Sequence, residues 1–519
     1  MQLQSLRPLI AMGLGAVLTL GLSDRLGSQP NPEGSEAIGQ PEPVEFQDPP
    51  APPRPEDDLA EFNPSPDPLL FPILPEEVKT QPAPPLTLTA ALTLALDNNT
   101  TLELAKLRLQ RSQAALREQK AARFPNLTLL GQGQLQDSFD DVFNSEGDTA
   151  TFPNRTVDTD TANVGGNIRL DYDLFGSGGR SASIKGARRQ VRLNELVVEQ
   201  QTEQIRLDVI TAYYTLQNAD EQVRIAEAGV VNAERSLKDA QVLERVGLGT
   251  RFDILRTEVQ LANQRQTLTN ALANQKTAQR RLAATLNLSQ TAQVRAADPV
   301  VIAGEWALSL EESIVLAYKN RSELEQQLVQ RELDELQRRV ALAAVRPQVS
   351  VFSQFSLSHV SNSTNSSSAS AITSTLSSDT FSRDASVGVQ VRWNFYDGGA
   401  ARARAKQRSV DKAIAEVTFA ETRNQIRFQV EESFFELESN QTNIETSTKA
   451  LDQAKESLRL ARLRFQAGVG TQTDVIDAET ELTRAEGNLV AAIVGYNQAL
   501  ANLERAISNL PTQSAPTQS

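Results

Sequence analysis

Arg245-Val246-Gly247-Leu248-Gly249-Thr250-Arg251-Phe252-Asp253 returns, 221 residues on, as Gln466-Ala467-Gly468-Val469-Gly470-Thr471-Gln472-Thr473-Asp474. Each stretch interrupts a long run of helix-forming residues. Gly stands where a helix must end in a left-handed residue, and Thr stands where the next helix must be capped. The same offset superposes Gly247 on Gly468, Thr250 on Thr471 and Asp253 on Asp474. The spacing predicts two helical hairpins in a chain that repeats one structural plan.

The repeat continues upstream of both tips. Leu86-Thr87-Leu88-Thr89-Ala90-Ala91-Leu92 opens a predicted helix that runs to about Arg123, and Leu308-Ser309-Leu310-Glu311-Glu312-Ser313-Ile314 repeats that opening 222 residues later. Pro125 and Pro347 keep the spacing and end both helices, because proline disfavours helical geometry in the residue before it. Beyond each proline the period changes from helical to alternating. Val349, Val351, Phe355 and Leu357 alternate with Ser350, Gln354, Ser356 and Ser358, with a break at Phe352 and Ser353. Ile168, Leu170, Tyr172 and Leu174 alternate with Asn167, Arg169, Asp171 and Asp173; Val387, Val389, Val391, Trp393 and Phe395 do so with Ser386, Gly388, Gln390, Arg392 and Asn394.

Strands with one apolar and one hydrated face, about 9 to 11 residues long, suit an outer-membrane barrel, though a soluble sheet over a core has the same alternation. Two features favour the membrane. Tyr172, Phe175, Trp393, Phe395 and Tyr396 gather at the strand ends nearest the helices, as an interfacial girdle does. The connections Gln136 to Thr161 and Ser361 to Ser382 are long and polar, and are expected as outer loops. Four strands cannot close a barrel, and an open edge in lipid leaves backbone groups unpaired. The chain is therefore expected to oligomerise; three copies supply twelve strands and two supply eight, and spacing does not choose.

Gly176-Ser177-Gly178-Gly179-Arg180 and Asp397-Gly398-Gly399 lead from each second strand into a helix. Neither has the Gly-Lys-Ser/Thr ending of a phosphate-binding loop, so both read as hinges. The helices that follow carry heptads. Val198, Ile205, Ala212, Ala219, Ala226, Ala233 and Ala240 form one seam, and Val209, Leu216, Val223, Val230 and Leu237 a second. In the other half, Val430, Leu437, Ile444, Leu451, Leu458 and Phe465 match the larger seam, while Ser433, Asn440, Ser447, Ala454 and Ala461 match the smaller. Two seams on one helix give it neighbours on both sides, as a closed ring of coiled coils requires. The long helix from Gly179 should reach about 100 Å, and the helices Leu88 to Arg123 and Arg251 to Leu286 about 54 Å each, so the short pair end to end matches the long one.

Composition narrows the chemistry. With 5% aromatic residues the core is thin, and with no Cys, disulfides, thiol nucleophiles and thiolate metal sites are excluded; the one His, His359, stands in a serine-rich stretch and reads as a solvated side chain in preference to a metal ligand. No catalytic group, metal site or cofactor site stands out, so no enzyme activity is expected. Net charge is −14, but Pro30 to Pro85 carries twelve acids against Arg54 and Lys79 and accounts for −10 of it. The remainder has no basic footprint for nucleic acid. That segment also holds seventeen of the twenty-four prolines, a composition that cannot bury a core. Expected segments are a signal peptide (1–28, with an apolar run from Leu9 to Leu22, a retained anchor being the alternative), a disordered acidic spacer (29–85), repeat one (86–300), repeat two (301–510) and a disordered tail (511–519).

Taken together, the doubled helix-strand-strand-helix-turn-helix plan, the Leu-x-Leu openings and the Arg-Val-Gly-Leu-x-Thr tip resemble the TolC-type outer-membrane efflux proteins, over Leu86 to about Leu510. The resemblance implies a mixed α/β membrane protein: a homotrimer with a β-barrel in the outer membrane, four strands per chain, continued through the periplasm by an α-helical coiled-coil barrel. It implies a passive exit duct for efflux or type I secretion, in contact with outer-membrane lipid and recruited by a periplasmic adaptor and an inner-membrane pump. Adaptor contacts would fall on Arg245, Val246, Gly247, Leu248 and Thr250, and on Gly468, Val469 and Thr471, although the second tip has Ala467 and Val469 where the first has Val and Leu. The acidic pore constriction would fall on Asp474 and Asp477. A structural reading competes for Asp474, since Thr471-x-x-Asp474 is also a capping box; Asp477, one turn farther in, has no such role. The competing functional reading is a periplasmic coiled-coil scaffold or adaptor without a membrane barrel.

Overall fold

The computed structural model describes residues 69, 71, 73–79, 81, 82, 84–142, 155–247, 249–289, 291–368 and 374–508. The chain divides into two units, Met1–Pro55 and Glu56–Ser519, and every described residue lies in the second. The expected signal peptide and tail therefore lie outside the described residues. In chain order the elements are β1 (Gln81–Pro82), α1 (Leu88–Asn98), α2 (Thr100–Ala121), β2 (Asn126–Val142), β3 (Arg155–Phe175), α3 (Gly179–Arg245), α4 (Arg251–Thr285), β4 (Ala292–Gln293), α5 (Leu310–Asn320), α6 (Ser322–Ala343), β5 (Gln348–Ser368), β6 (Ser374–Arg392), α7 (Ala400–Gln466) and α8 (Gln472–Ile507). Apart from the short β1 and β4, the order is one plan used twice.

Where the sequence predicts one helix before each proline, there are two. Asn99 breaks the first: its side-chain oxygen accepts from the N–H groups of Thr101 and Leu102 at 2.9 and 3.1 Å, capping α2, while its Nδ2 donates to Thr285 O at 3.2 Å. Arg321 holds the equivalent break. Its guanidinium is 8% exposed and donates to both Glu323 oxygens at 2.9 Å and to Ala506 O at 3.2 Å. Charge placed at a buried helix junction demands such partners. The spacer also ends earlier than expected, because Pro75–Val78 forms a 3-10 turn and β1 pairs in parallel with β4.

The four long strands form one antiparallel sheet in the order β2-β3-β5-β6. Register aligns Leu129, Ile168 and Phe355 on one face, with Leu127, Leu170 and Val387 in the next row and Val164 and Phe381 flanking His359 in another. Thr128, Arg169, Gln354 and Ser386 share the opposite face, as do Asn167, Ser356 and Asp384. Phe352, which breaks the alternation, points to this polar face. There its ring lies across Gly388, where an added Cβ would come within 2.7 Å of it, and under the Arg169 guanidinium at 5.2 Å. Leu174 departs from its expected row. A register shift between Asp173 and Phe175 places Phe175 opposite Val349, so Leu174 is the extra residue of a bulge.

Strand length is a second departure. The strands have 17, 21, 21 and 19 residues, and most of the two segments expected as outer loops continues the ladders, with Gln136 paired to Thr161 and Ser361 to Asp379. Ser and Thr ladder as well as Val where neither face is buried, so loss of alternation does not end a strand. The apolar rows from Val349 to His359 cover ten steps, about 33 Å, which a tilt of about 40° reduces to about 25 Å, the height of the apolar band of a membrane barrel. Among the described residues no helix is long and apolar enough to cross a membrane.

The helices form a layer with α3 at its centre, flanked by α2 and α4 on one side and by α6 and α8 on the other; α7 lies beyond α6 and α8. The seams account for this. Ile205, Ala212, Ala226, Ala233 and Ala240 are buried, as are Val209, Leu216 and Val223. Helix α7 buries Val430, Leu437 and Leu458 but leaves Ile414, Val417, Phe428 and Phe435 exposed, and α4 leaves Phe252, Leu255 and Val259 exposed. Sheet and helix layer thus have their open sides on the same elements of the plan: β2 with α2 and α4, and β6 with α7.

A strap crosses α3 near its middle. The Tyr213 hydroxyl lies 2.9 Å from Leu86 O and 2.8 Å from Asp298 Oδ2, and Asp298 Oδ2 also accepts from the Leu88 N–H at 2.8 Å. Beside it a cavity of about 390 Å³ is lined by Leu88, Leu92, Tyr214, Leu500 and Glu504. Burial pushes the Glu504 carboxyl up to about 7. Because that value exceeds the unfolded one, stability is full below about pH 4.5 and falls as pH rises through about 7. Glu504→Gln is therefore expected to raise the thermal transition at pH 8 and to leave it unchanged near pH 4.5; equal effects at both values would contradict the assignment.

Candidate functional site

The two tips are built alike. Helix α3 ends with the Val246 N–H donating to Val242 O at 3.2 Å, and Gly247 then turns the chain at φ +75°, donating to Glu244 O at 3.0 Å. Helix α7 ends the same way: Ala467 N–H donates to Leu463 O and Gly468, at φ +73°, donates to Phe465 O, both at 3.0 Å. Positive φ explains the first glycine of each tip. Crowding explains the second, since a Cβ on Gly249 or Gly470 would lie 3.1 Å from the backbone nitrogen of Glu244 or Phe465.

Threonine closes each turn as the next N-cap. Thr250 Oγ1 accepts from the Asp253 N–H at 3.2 Å, and Asp253 Oδ2 accepts from the Thr250 N–H at 3.0 Å; Thr471 and Asp474 repeat this at 3.2 and 2.9 Å. Asp474 therefore fills the capping role that the sequence left open against a pore role. The Thr471 N–H holds its carboxyl below the usual carboxylate range, with the Thr471 side chain and Arg464 adding to the effect. Asp477 is exposed one turn farther along and has no hydrogen bond or ion pair among the described residues.

Of the residues expected to meet a partner, Arg245, Val246, Gly247 and Thr250 are exposed at one tip and Gly468, Val469 and Thr471 lie at the other; Leu248 lies outside the described residues. Val246 and Val469 are 63% and 69% exposed, which no feature of turn geometry requires.

Two contacts that sequence reading missed join the hairpins. Arg256 Nη1 donates to Thr473 Oγ1 at 2.6 Å, linking the start of α4 to the start of α8. Arg256 is the 221-residue equivalent of Asp477, and Thr473 lies one turn before Asp477 on the same face of α8. Farther from the tip, Arg462 Nη2 donates to Glu479 Oε1 and to Asn232 Oδ1, both at 2.9 Å, and the Ser236 hydroxyl donates to Glu479 Oε1 at 2.7 Å. This cluster ties α7 and α8 to α3. Its sequence signal is a charge that follows the apolar residues Val475, Ile476 and Ala478, and that signal is weak.

The tips present an exposed double turn, with the ion pair of Arg462 and buried Glu479 beyond it and an exposed carboxylate at Asp477. Among proteins of known family, the family described as outer membrane efflux protein matches residues 91–288 and 313–509. Cation efflux system protein CusC of Escherichia coli O157:H7 is 31% identical over 146 residues, which cover 27% of this chain and 28% of that protein. A crystal structure of CusC superposes with a TM-score of 0.66 at 19% identity, covering 81% of this chain and 92% of that one. The Campylobacter jejuni CmeC outer membrane channel gives 0.66 at 14% identity, covering 82% and 87%. These solved structures share the fold.

Arg462→Ala strands a carboxylate whose side chain is 5% exposed, whereas Glu479→Ala strands a guanidinium at 22%, so the first is expected to destabilise more. A double-mutant cycle on unfolding in detergent should give coupling on the order of 1–2 kcal/mol. Strict additivity would remove the pair from the account.

Proposed function

The chain belongs to the outer membrane efflux protein family, and on that premise we propose that it is the outer-membrane exit duct of a tripartite efflux system. The observation that carries this reading is a sheet with apolar rows along one face, interrupted at Arg383, fused in one chain to paired coiled-coil helices and, among the described residues, open at both edges. Open ladders in lipid are untenable, so the edges of β2 and β6 pair with other copies. Three copies give twelve strands and a ring four helices wide per copy. The homotrimer crosses the outer membrane as a barrel, and its helices extend into the periplasm. Transport is passive, with the driving step supplied by an inner-membrane pump.

The tips dock a periplasmic adaptor. Arg245, Val246, Gly247, Leu248 and Thr250 form the primary contact, and Gly468, Val469 and Thr471 the second. Exposed valines beside glycine turns suit shallow apolar docking better than turn closure. Asp477 lines the constriction, with Asp474 nearer the entrance. The relative named as a cation efflux system protein supports an efflux role over protein secretion.

Recovery only with detergent, as trimeric tubes with one wide and one tapered end in electron micrographs, is the expected outcome for the purified protein; a soluble product without detergent would favour the scaffold reading. For the constriction, Asp477→Asn is expected to raise single-channel conductance or relieve divalent-cation block in planar bilayers. Unchanged currents would remove Asp477 from the pore.

A further inference from the structure

Where the sheet meets the helices, a cavity of about 410 Å³ lies between the first turns of α3 and the last turns of α6. Ser177, Ser181, Lys185, Arg338, Arg339 and Arg346 line it. Four cations in one small space repel one another unless counter-charge is near. Glu335 supplies it to Arg338 at 2.9 Å and to Arg339 at 3.3 Å. Lys185 and Arg346 have no ion partner among the described residues. Both are exposed, so the cavity presents two solvated cations free to bridge one anion.

Its depth identifies the source of that anion. Trp393 Nε1 donates to Val345 O at 3.2 Å, immediately before Arg346, and the Ser177 hydroxyl donates to Pro347 O immediately after it. Trp393, Phe395 and Tyr396 are 59%, 81% and 78% exposed at the helix end of the apolar band. Such residues sit at headgroup level, which puts Arg346 at the depth of lipid phosphates. Both walls come from adjacent helices of one chain, so a second copy at the open edges does not fill the space. Lys185 also stands four heptads above Tyr213, on the side of α3 that carries the strap. A strap inside the bore would obstruct it, so this side faces outward.

We propose that the cavity binds the phosphate of an anionic phospholipid from the periplasmic leaflet of the outer membrane, held by Lys185 and Arg346. Charge-assisted bonds from the two unpaired cations grip the phosphate, and Arg338, Arg339 and Ser181 add donors around it. The site rests on the outer-membrane reading. It would fix the height of the barrel in the bilayer from the periplasmic side.

The test uses the full-length oligomer, delipidated in detergent, with bound lipid counted by native mass spectrometry. Dioleoyl phosphatidylglycerol should be retained at about one per chain and about fivefold over dioleoyl phosphatidylcholine. Lys185→Ala with Arg346→Ala should lower retention about tenfold, while Lys185→Arg should preserve it. Equal retention of the two lipids, or full retention by the double variant, would overturn the proposal. Displacement by millimolar inorganic phosphate would also overturn it, assigning the cavity to a free anion. Should the double variant fail to assemble, Arg346→Gln alone gives the same readout. Insertion into phosphatidylcholine vesicles separates the two readings: a protein that does not insert fails as a channel, whereas one that inserts without lipid preference fails only here.

Discussion

An unpaired strand edge facing an apolar medium is the constraint on which the rest depends. Each free N–H or C=O in hydrocarbon costs several kcal/mol, and an edge strand of 17 or 19 residues exposes many of them along one side. The chain's own sheet pairs β3 and β5 on both sides but leaves β2 and β6 with one open side each. Among the described residues nothing caps those sides. The helix layer ends on the same elements, with Phe428 and Phe435 exposed on α7 and Phe252 and Val259 on α4. One geometric rule therefore governs both layers, and association that closes the sheet also covers the helix edges.

Duplication turns that rule into something more specific. Inside one chain, α8 packs on α3, with Glu479 against Ser236. Shifting both by 221 residues gives Glu258 on the open side of α4 and Ser457 on α7, and both are exposed. The internal interface is thus a template for the one between copies. It is an imperfect template, because the position matching Arg462 is Gln241, which cannot balance a carboxylate. The interface inside the chain is the charged and locked one, while in the proposed oligomer the interface between chains would have the weaker polar pair.

Much of this was legible in the sequence because it rests on local rules. Gly247 and Gly468 need positive φ, Thr250 and Thr471 need an amide to cap, and the prolines stop helices wherever they fall. Heptads gave the helix layer and alternation gave the sheet's two faces. What was missed depends on partners distant in sequence. Asn99 ends a helix because Thr285 and its neighbours lie within reach, and Arg321 sits in a junction because Glu323 and Ala506 receive it. The hairpins run past their alternating segments because their Ser and Thr residues find ladder partners in one another. Arg462 and Glu479 look like solvated charges until the hairpins are packed. The tip's geometry was readable in full, whereas its function was not, since turn chemistry explains Gly and Thr but is silent on Val246 and Val469.

The two repeats agree most closely where geometry is demanding and part where a pore would be narrowest. Asp253 and Asp474 are both retained and both cap helices. Three residues on, the repeats have Arg256 and Asp477, opposite charges at equivalent positions. Six carboxylates at one level around a closed bore would repel one another strongly in a space with little water. Alternating Arg256 with Asp477 removes that penalty. Arg256 is also committed, because its guanidinium reaches across to Thr473 on the face of α8 that carries Asp477. The cation thus holds the hairpins together and the carboxylate keeps its charge toward solvent. Divergence between the repeats has left a tie between hairpins at one position and an exposed carboxylate at the other, where a faithful duplication would have made the two the same.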